Sequence, residues 1–118
     1  MKEYLLLIRQ DGDPLEKASP EVQQTHVEKF ATYIGQLLKA GKLKSAQPLE
    51  GEGKVVSGGG GVVKDGPFNE SKEVVAGYFL VLAENIDEAV KIARGNPVFR
   101  DSTASIEIRP IRKLEGIN

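Results

Sequence analysis

Val74-Val75-Ala76-Gly77-Tyr78-Phe79-Leu80-Val81-Leu82-Ala83 is an uncharged stretch rich in β-branched and aromatic residues. Side chains alternate between the two faces of a strand, and here both alternations are apolar. A strand of this kind lies inside a sheet and is covered on both sides. The N-terminal run Tyr4-Leu5-Leu6-Leu7-Ile8 has the same property within a strand expected over residues 3–9. The remaining elements are read around these two segments.

Between them, Ser19 is a good helix N-cap, Pro20 suits the first helical position, and Glu21 complements the positive end of the helix dipole. Val27, Phe30, Ala31, Ile34, Leu37 and Leu38 then recur at helical spacing as one apolar stripe centred on Val27. Lys39 and Gly41 close this helix near residue 40. A second strand is expected over residues 43–49, ending near Pro48. The glycine-rich stretch that follows has Val55-Val56 and Val62-Val63 on either side of Gly58-Gly59-Gly60-Gly61, which predicts a hairpin with a flexible tip. It is not a phosphate-binding loop, since no Gly-Lys-Ser/Thr follows and no helix opens after the glycines.

Beyond residue 83, Asn85 with Glu88 three positions on has capping-box spacing for a second helix. Ile86, Ala89, Val90 and Ala93 form its expected buried stripe, Gly95-Asn96-Pro97 stops it, and the last strand alternates through residues 104–112. The order is strand–helix–strand, hairpin, strand–helix–strand, an α+β domain with an antiparallel sheet, an inserted glycine-rich hairpin and two helices on one face. The chain of 118 residues has the length of a single domain, residues 1–118. Two helices cover one face only, yet the strands at 4–8 and 74–83 are apolar on both. The simplest cover for the second face is the same sheet of a second copy, so a homodimer is expected.

The totals exclude several classes of chemistry. With no cysteine there are no disulfides, thiolate metal sites or cysteine nucleophiles, which suits a reducing, cytoplasmic setting. Sixteen basic and seventeen acidic residues are well mixed, so no basic face points to nucleic acid. The N-terminal apolar run is too short for a signal-peptide core or a membrane span. The Asn69-Glu70-Ser71 sequon carries no weight without an export signal, and Asp11-Gly12-Asp13-Pro14 reads as a solvated turn.

His26 is the only histidine. A step of about 100° per residue places it with Tyr33 on one flank of the first helix's stripe, at the boundary between sheet and solvent. Imidazole is the side chain whose unperturbed pKa suits acid–base work near neutrality. Asp65 opens Asp65-Gly66-Pro67-Phe68, in which Pro67 and Phe68 can stiffen a loop that aims the carboxylate into a pocket. Such a carboxylate beside an imidazole would fix its tautomer. The plainer readings are a boundary histidine and an aspartate capping its own turn. A metal site is not expected, because the residue four positions after His26 is Phe30.

The segment Val63-Lys64-Asp65-Gly66-Pro67-Phe68-Asn69-Glu70-Ser71-Lys72-Glu73, with Gly77-Tyr78, Asp87-Glu88-Ala89 and Ile106-Glu107-Ile108-Arg109-Pro110, resembles the DGPF-type branch of the YCII-related family. Asn69 and Ser71 stand where that family more often has Ala and Thr. The resemblance implies a ferredoxin-like, dimeric α+β barrel with a site built from a His and an Asp. Asp65 is the motif's aspartate, and His26 is the matching histidine by its spacing to Gly41. The expected function is a small cofactor-free enzyme that uses His26 and Asp65 for proton transfer on a small carbonyl-type metabolite, with Tyr33, Pro67 and Phe68 binding it. The alternative is a non-catalytic ligand-binding or regulatory module, linked to transcription through a protein partner.

Overall fold

The computed structural model describes residues 1–11, 16–66 and 74–118. Its elements are β1 (Lys2–Arg9), α1 (Pro20–Lys39), β2 (Leu43–Pro48), β3 (Gly53–Ser57), β4 (Val62–Gly66), β5 (Val75–Ala83), α2 (Ile86–Arg94), a single 3-10 turn (Pro97–Arg100) and β6 (Ser105–Pro110). β1, β2, β5 and β6 make one antiparallel sheet in the order β2-β5-β1-β6. The two apolar strands are therefore the inner pair, with the more polar β2 and β6 at the edges. This is an α+β arrangement with an antiparallel sheet and two helices, consistent with a ferredoxin-like fold.

The helices start and stop where local chemistry requires. The Ser19 hydroxyl accepts from the Val22 N–H, and the Asn85 side chain accepts from the Glu88 N–H. α1 ends in a Schellman arrangement: Gly41 N–H bonds to the Leu38 carbonyl and Lys42 N–H to the Leu37 carbonyl, with Gly41 at φ 70°. Among the described residues no helix is long and apolar enough to cross a membrane.

Both helices pack on the face that carries Tyr4, Leu6, Ile8, Phe79, Val81 and Ala83, where Leu6 and Val81 are wholly buried. The opposite face carries Leu5, Leu7, Tyr78, Leu80 and Leu82, with Leu5 opposite Leu80 and Leu7 opposite Tyr78. These residues stay outside the core cluster and are only half-buried. The shortest dimension of the molecule, 19 Å, fits one sheet plus one helical layer.

Two expected stripes shift in the structure. Val27 is not the buried centre of α1: it is 59% exposed, as Leu38 is at 58%, and the buried line runs instead through Tyr33 and Leu37 with Phe30 and Ile34 beside it. In α2, Ile86 is exposed and Ile92 takes its place in the core with Ala89 and Ala93. Both shifts have one cause. Helical spacing defines an apolar arc, but the angle at which a helix meets the sheet selects which part of that arc is covered.

β3 and β4 form a separate two-stranded ribbon whose turn holds Gly59, Gly60 and Gly61 at φ 77°, 108° and 68°. Side-chain residues cannot take that run of positive φ without strain. Val55, Val56, Val62 and Val63 are all exposed on this ribbon.

Candidate active site

α1 meets the rest of the molecule unevenly. Near its C-terminal half, Tyr33 and Leu37 are buried in the core. Toward its N-terminus the apolar arc stands away from the sheet, leaving a cleft of about 490 Å³. One wall is α1, through His26, Val27, Phe30, Ala31 and Ile34. The other wall is the adjoining ends of β2 and β5, through Ala46, Gln47, Pro48, Ala76, Gly77 and Phe79. Ile8, Gln10 and Val98 complete the lining. A volume of this size is within the range of small-molecule sites.

Gly77 is required by that second wall. It lies directly opposite Pro48 in the β2–β5 register. A Cβ at position 77 would stand 2.9 Å from the Gln47 carbonyl oxygen and 3.3 Å from the Pro48 Cα. Only glycine lets the two strands close at this end of the cleft.

His26 is half-buried, and its ring meets Phe30 edge-on with centroids 4.8 Å apart. It is the one titratable side chain lining the cleft among the described residues. The same imidazole also borders a shallower, polar groove formed by Glu21, Thr25, Lys29 and Arg100. His26 therefore forms part of the wall between an apolar chamber and a charged, solvated surface. An imidazole in that position can take a proton from a molecule in the cleft and pass it to water.

Asp65 and Tyr33, also singled out from the sequence, lie elsewhere. Asp65 sits on β4, its side chain 87% exposed, and its carboxylate is paired with Lys54 across the ribbon. It does not line the cleft that His26 borders. Tyr33 is buried, and its hydroxyl donates to the Ile92 carbonyl at 2.5 Å. Burial pushes this phenol up to about 12, and a bond with Asn96 opposes that shift. Tyr33 faces a shallow groove with Gly95 and Pro97, apart from the cleft. Pro67 and Phe68 lie outside the described residues. Among the described residues no group of three or more His, Asp or Glu side chains is arranged to hold a metal ion.

Sequence reasoning did not find Gln10 and Gln47, the two neutral polar residues of the lining, and no spacing signal marks them. Gly77 did carry a signal, since a lone glycine inside a β-branched strand marks a close backbone approach.

The model of the YCII-related domain matches residues 2–115. The chain belongs to the YCII-related family. Over 55 residues this YCII-related chain is 42% identical to the uncharacterised protein R00369 of Rhizobium meliloti (strain 1021), and the match takes in 47% of this chain and 44% of that protein. Its fold is similar to that of 5-chloro-2-hydroxyhydroquinone dehydrochlorinase from Burkholderia phenoliruptrix AC1100, solved in complex with 2,5-dihydroxybenzoquinone. The TM-score is 0.51 over 97% of this chain and 95% of that one, at 15% identity. At that identity the likeness speaks for the fold alone.

Proposed function

We propose that this YCII-related chain is a small-molecule enzyme in which His26 moves a proton on a carbonyl compound bound in the cleft between α1 and the β2–β5 edge. The observation that carries the reading is the position of His26, as the titratable lining group of an apolar cleft of about 490 Å³ that also touches the solvated groove outside. The imidazole takes the proton from a carbon next to the carbonyl. The C–H electron pair passes into the enolate, and the imidazolium returns the proton to carbon or releases it to water. The similarly folded 5-chloro-2-hydroxyhydroquinone dehydrochlorinase supports a reading as small-molecule enzymology.

Asp65, which opens the DGPF-type motif but sits on the ribbon paired with Lys54, would join the site as the residue that orients the imidazole if the ribbon swung onto the cleft. The working unit is a homodimer, in which the outer sheet faces of two copies cover Leu5, Leu7, Tyr78, Leu80 and Leu82 and close a dimeric α+β barrel. A cysteine-free chain suits the reducing cytoplasm.

The test is deuterium wash-in next to the carbonyl of cyclohexanone and 2-tetralone in D₂O, followed by proton NMR. Wild type should accelerate exchange by roughly 10² or more over His26→Gln, the usual scale of general acid–base catalysis. Equal exchange by the two proteins would remove His26 from the mechanism.

A further inference from the structure

We infer that the cleft selects an uncharged, planar ring compound and rejects phosphorylated or carboxylated metabolites. This rests on the reading of the cleft as the working site and adds the class of molecule it takes. Among the described residues the lining has no Lys, Arg, Asp or Glu. Its polar groups are the amides of Gln10 and Gln47 and the imidazole of His26. The nearby cations Lys29 and Arg100 belong to the groove on the far side of His26. An anionic group drawn into the cleft would lose its hydration with only the His26 imidazole to offset it among the described lining residues, an unfavourable exchange. A hydroxyl or carbonyl group can instead be satisfied by neutral amide donors and acceptors.

The shape of the cleft favours a flat occupant. Ala31 is in the helical wall, and Ala46, Ala76 and Gly77 are in the sheet wall, so small residues on both sides leave a slot between a helix and a sheet surface. Phe30 and Phe79 add aromatic surface to opposite walls. Aromatic partners prefer offset or edge-on contact with another ring. A cleft this apolar therefore gains most from a ring with one or two uncharged oxygen substituents.

The experiment compares 2-naphthol with 2-naphthalenesulfonate, which has the same ring system and a fixed negative charge. Binding is followed by the amide NMR shifts of Ala31, Ala46 and Gly77 in wild type and in Ala31→Trp, an exposed helical position where an indole would fill the slot. We expect saturable shifts with 2-naphthol, a Kd at least about tenfold higher for the sulfonate, and a similar loss of naphthol binding in Ala31→Trp. Equal or tighter binding of the sulfonate overturns the inference, as does naphthol binding that Ala31→Trp leaves unchanged, or no saturable binding at all. Failure here is distinct from failure of the proton-transfer reading. Naphthol binding with His26-independent exchange would sink the mechanism and keep the ligand class, whereas His26-dependent exchange without naphthol binding would do the reverse.

Discussion

Tyr33 of α1 donates its phenolic hydrogen to the Ile92 carbonyl of α2 across 2.5 Å. The bond fastens the C-terminal half of α1 to the last turn of the second helix, and Gly95 lies beside the ring, where a Cβ would make an ordinary contact 3.4 Å from Tyr33 Cε1. Toward the N-terminus of α1, Val27 and Ala31 are exposed and line the cleft instead. The cleft thus opens at the end of α1 where His26 sits, and Tyr33 acts on it through the position of the helix.

Tyr33→Phe separates a positioning role from a substrate contact. Losing the hydroxyl leaves the buried Ile92 carbonyl without this donor, which should cost about 1 kcal/mol of stability. Ligand affinity in the cleft should stay within about twofold of wild type, whereas a substrate-contacting hydroxyl would lose considerably more. The pH dependence has a defined sign. The folded phenol titrates near 12 and the unfolded one near 10, so the unfolded state loses its proton first. The contribution is complete below pH 10 and disappears as the pH rises toward 12. Wild type should therefore lose more thermal stability than Tyr33→Phe between pH 10 and 12, as read by circular dichroism melts.

Gly77→Ala tests the wall of the cleft. The added methyl meets the Gln47 carbonyl oxygen at 2.9 Å, and that neighbour is backbone rather than a side chain able to turn aside. Relief requires β2 and β5 to separate at Pro48. Overpacking of this kind costs about 1–3 kcal/mol. Denaturant unfolding should show that loss, and NMR shifts should concentrate at Gln47, Pro48 and the cleft residues beside them. Unchanged stability would mean the strand ends yield freely.

The legible part of the fold was its local chemistry. Ser19, Gly41 and Asn85 mark helix ends through capping bonds that involve near neighbours in sequence, so composition at those positions suffices. The inner strands were legible because β1 and β5 are apolar on both alternations. The cleft was not, because Val27, Phe30 and Ala31 look like core residues until the tilt of α1 is known. His26 stood out as the single imidazole, but its place between cleft and groove depends on contacts with β2, β5 and Arg100. The Lys54 partner of Asp65 follows from the register of the ribbon, which a run of glycines leaves unspecified in the sequence.

Glu3 joins three parts of the chain, since its carboxylate accepts from Lys113 at 2.7 Å and also from Lys44 of β2. These two ammonium groups hold it well below the ordinary value of 4.5, at about 2. A depressed carboxylate stabilises the fold above its unfolded pKa, and that stability fades as the pH falls from 4.5 toward 2. Glu3→Gln should lower the melting temperature only slightly at pH 7, since solvent screens these exposed lysines, and the two proteins should converge near pH 2. A constant difference across that range would assign the effect to packing rather than to charge.

Leu80 lies near the middle of the outer sheet face, between Leu5 of β1 and Ser45 of β2. Leu7, Tyr78 and Leu82 continue the apolar surface around it, while Glu3, Arg9, Glu107 and Arg109 supply both signs of charge on β1 and β6. A two-fold axis through such a face can bring unlike charges together at the rim and bury the leucines at the centre. Light scattering at micromolar concentration should therefore give twice the 12.8 kDa chain mass. Leu80→Glu puts a charge on the axis side of the sheet, away from the core that holds Leu6 and Val81, so it should yield a folded monomer with an unchanged circular dichroism spectrum. A monomeric wild type, or a dimer indifferent to Leu80→Glu, would leave this face to some other partner.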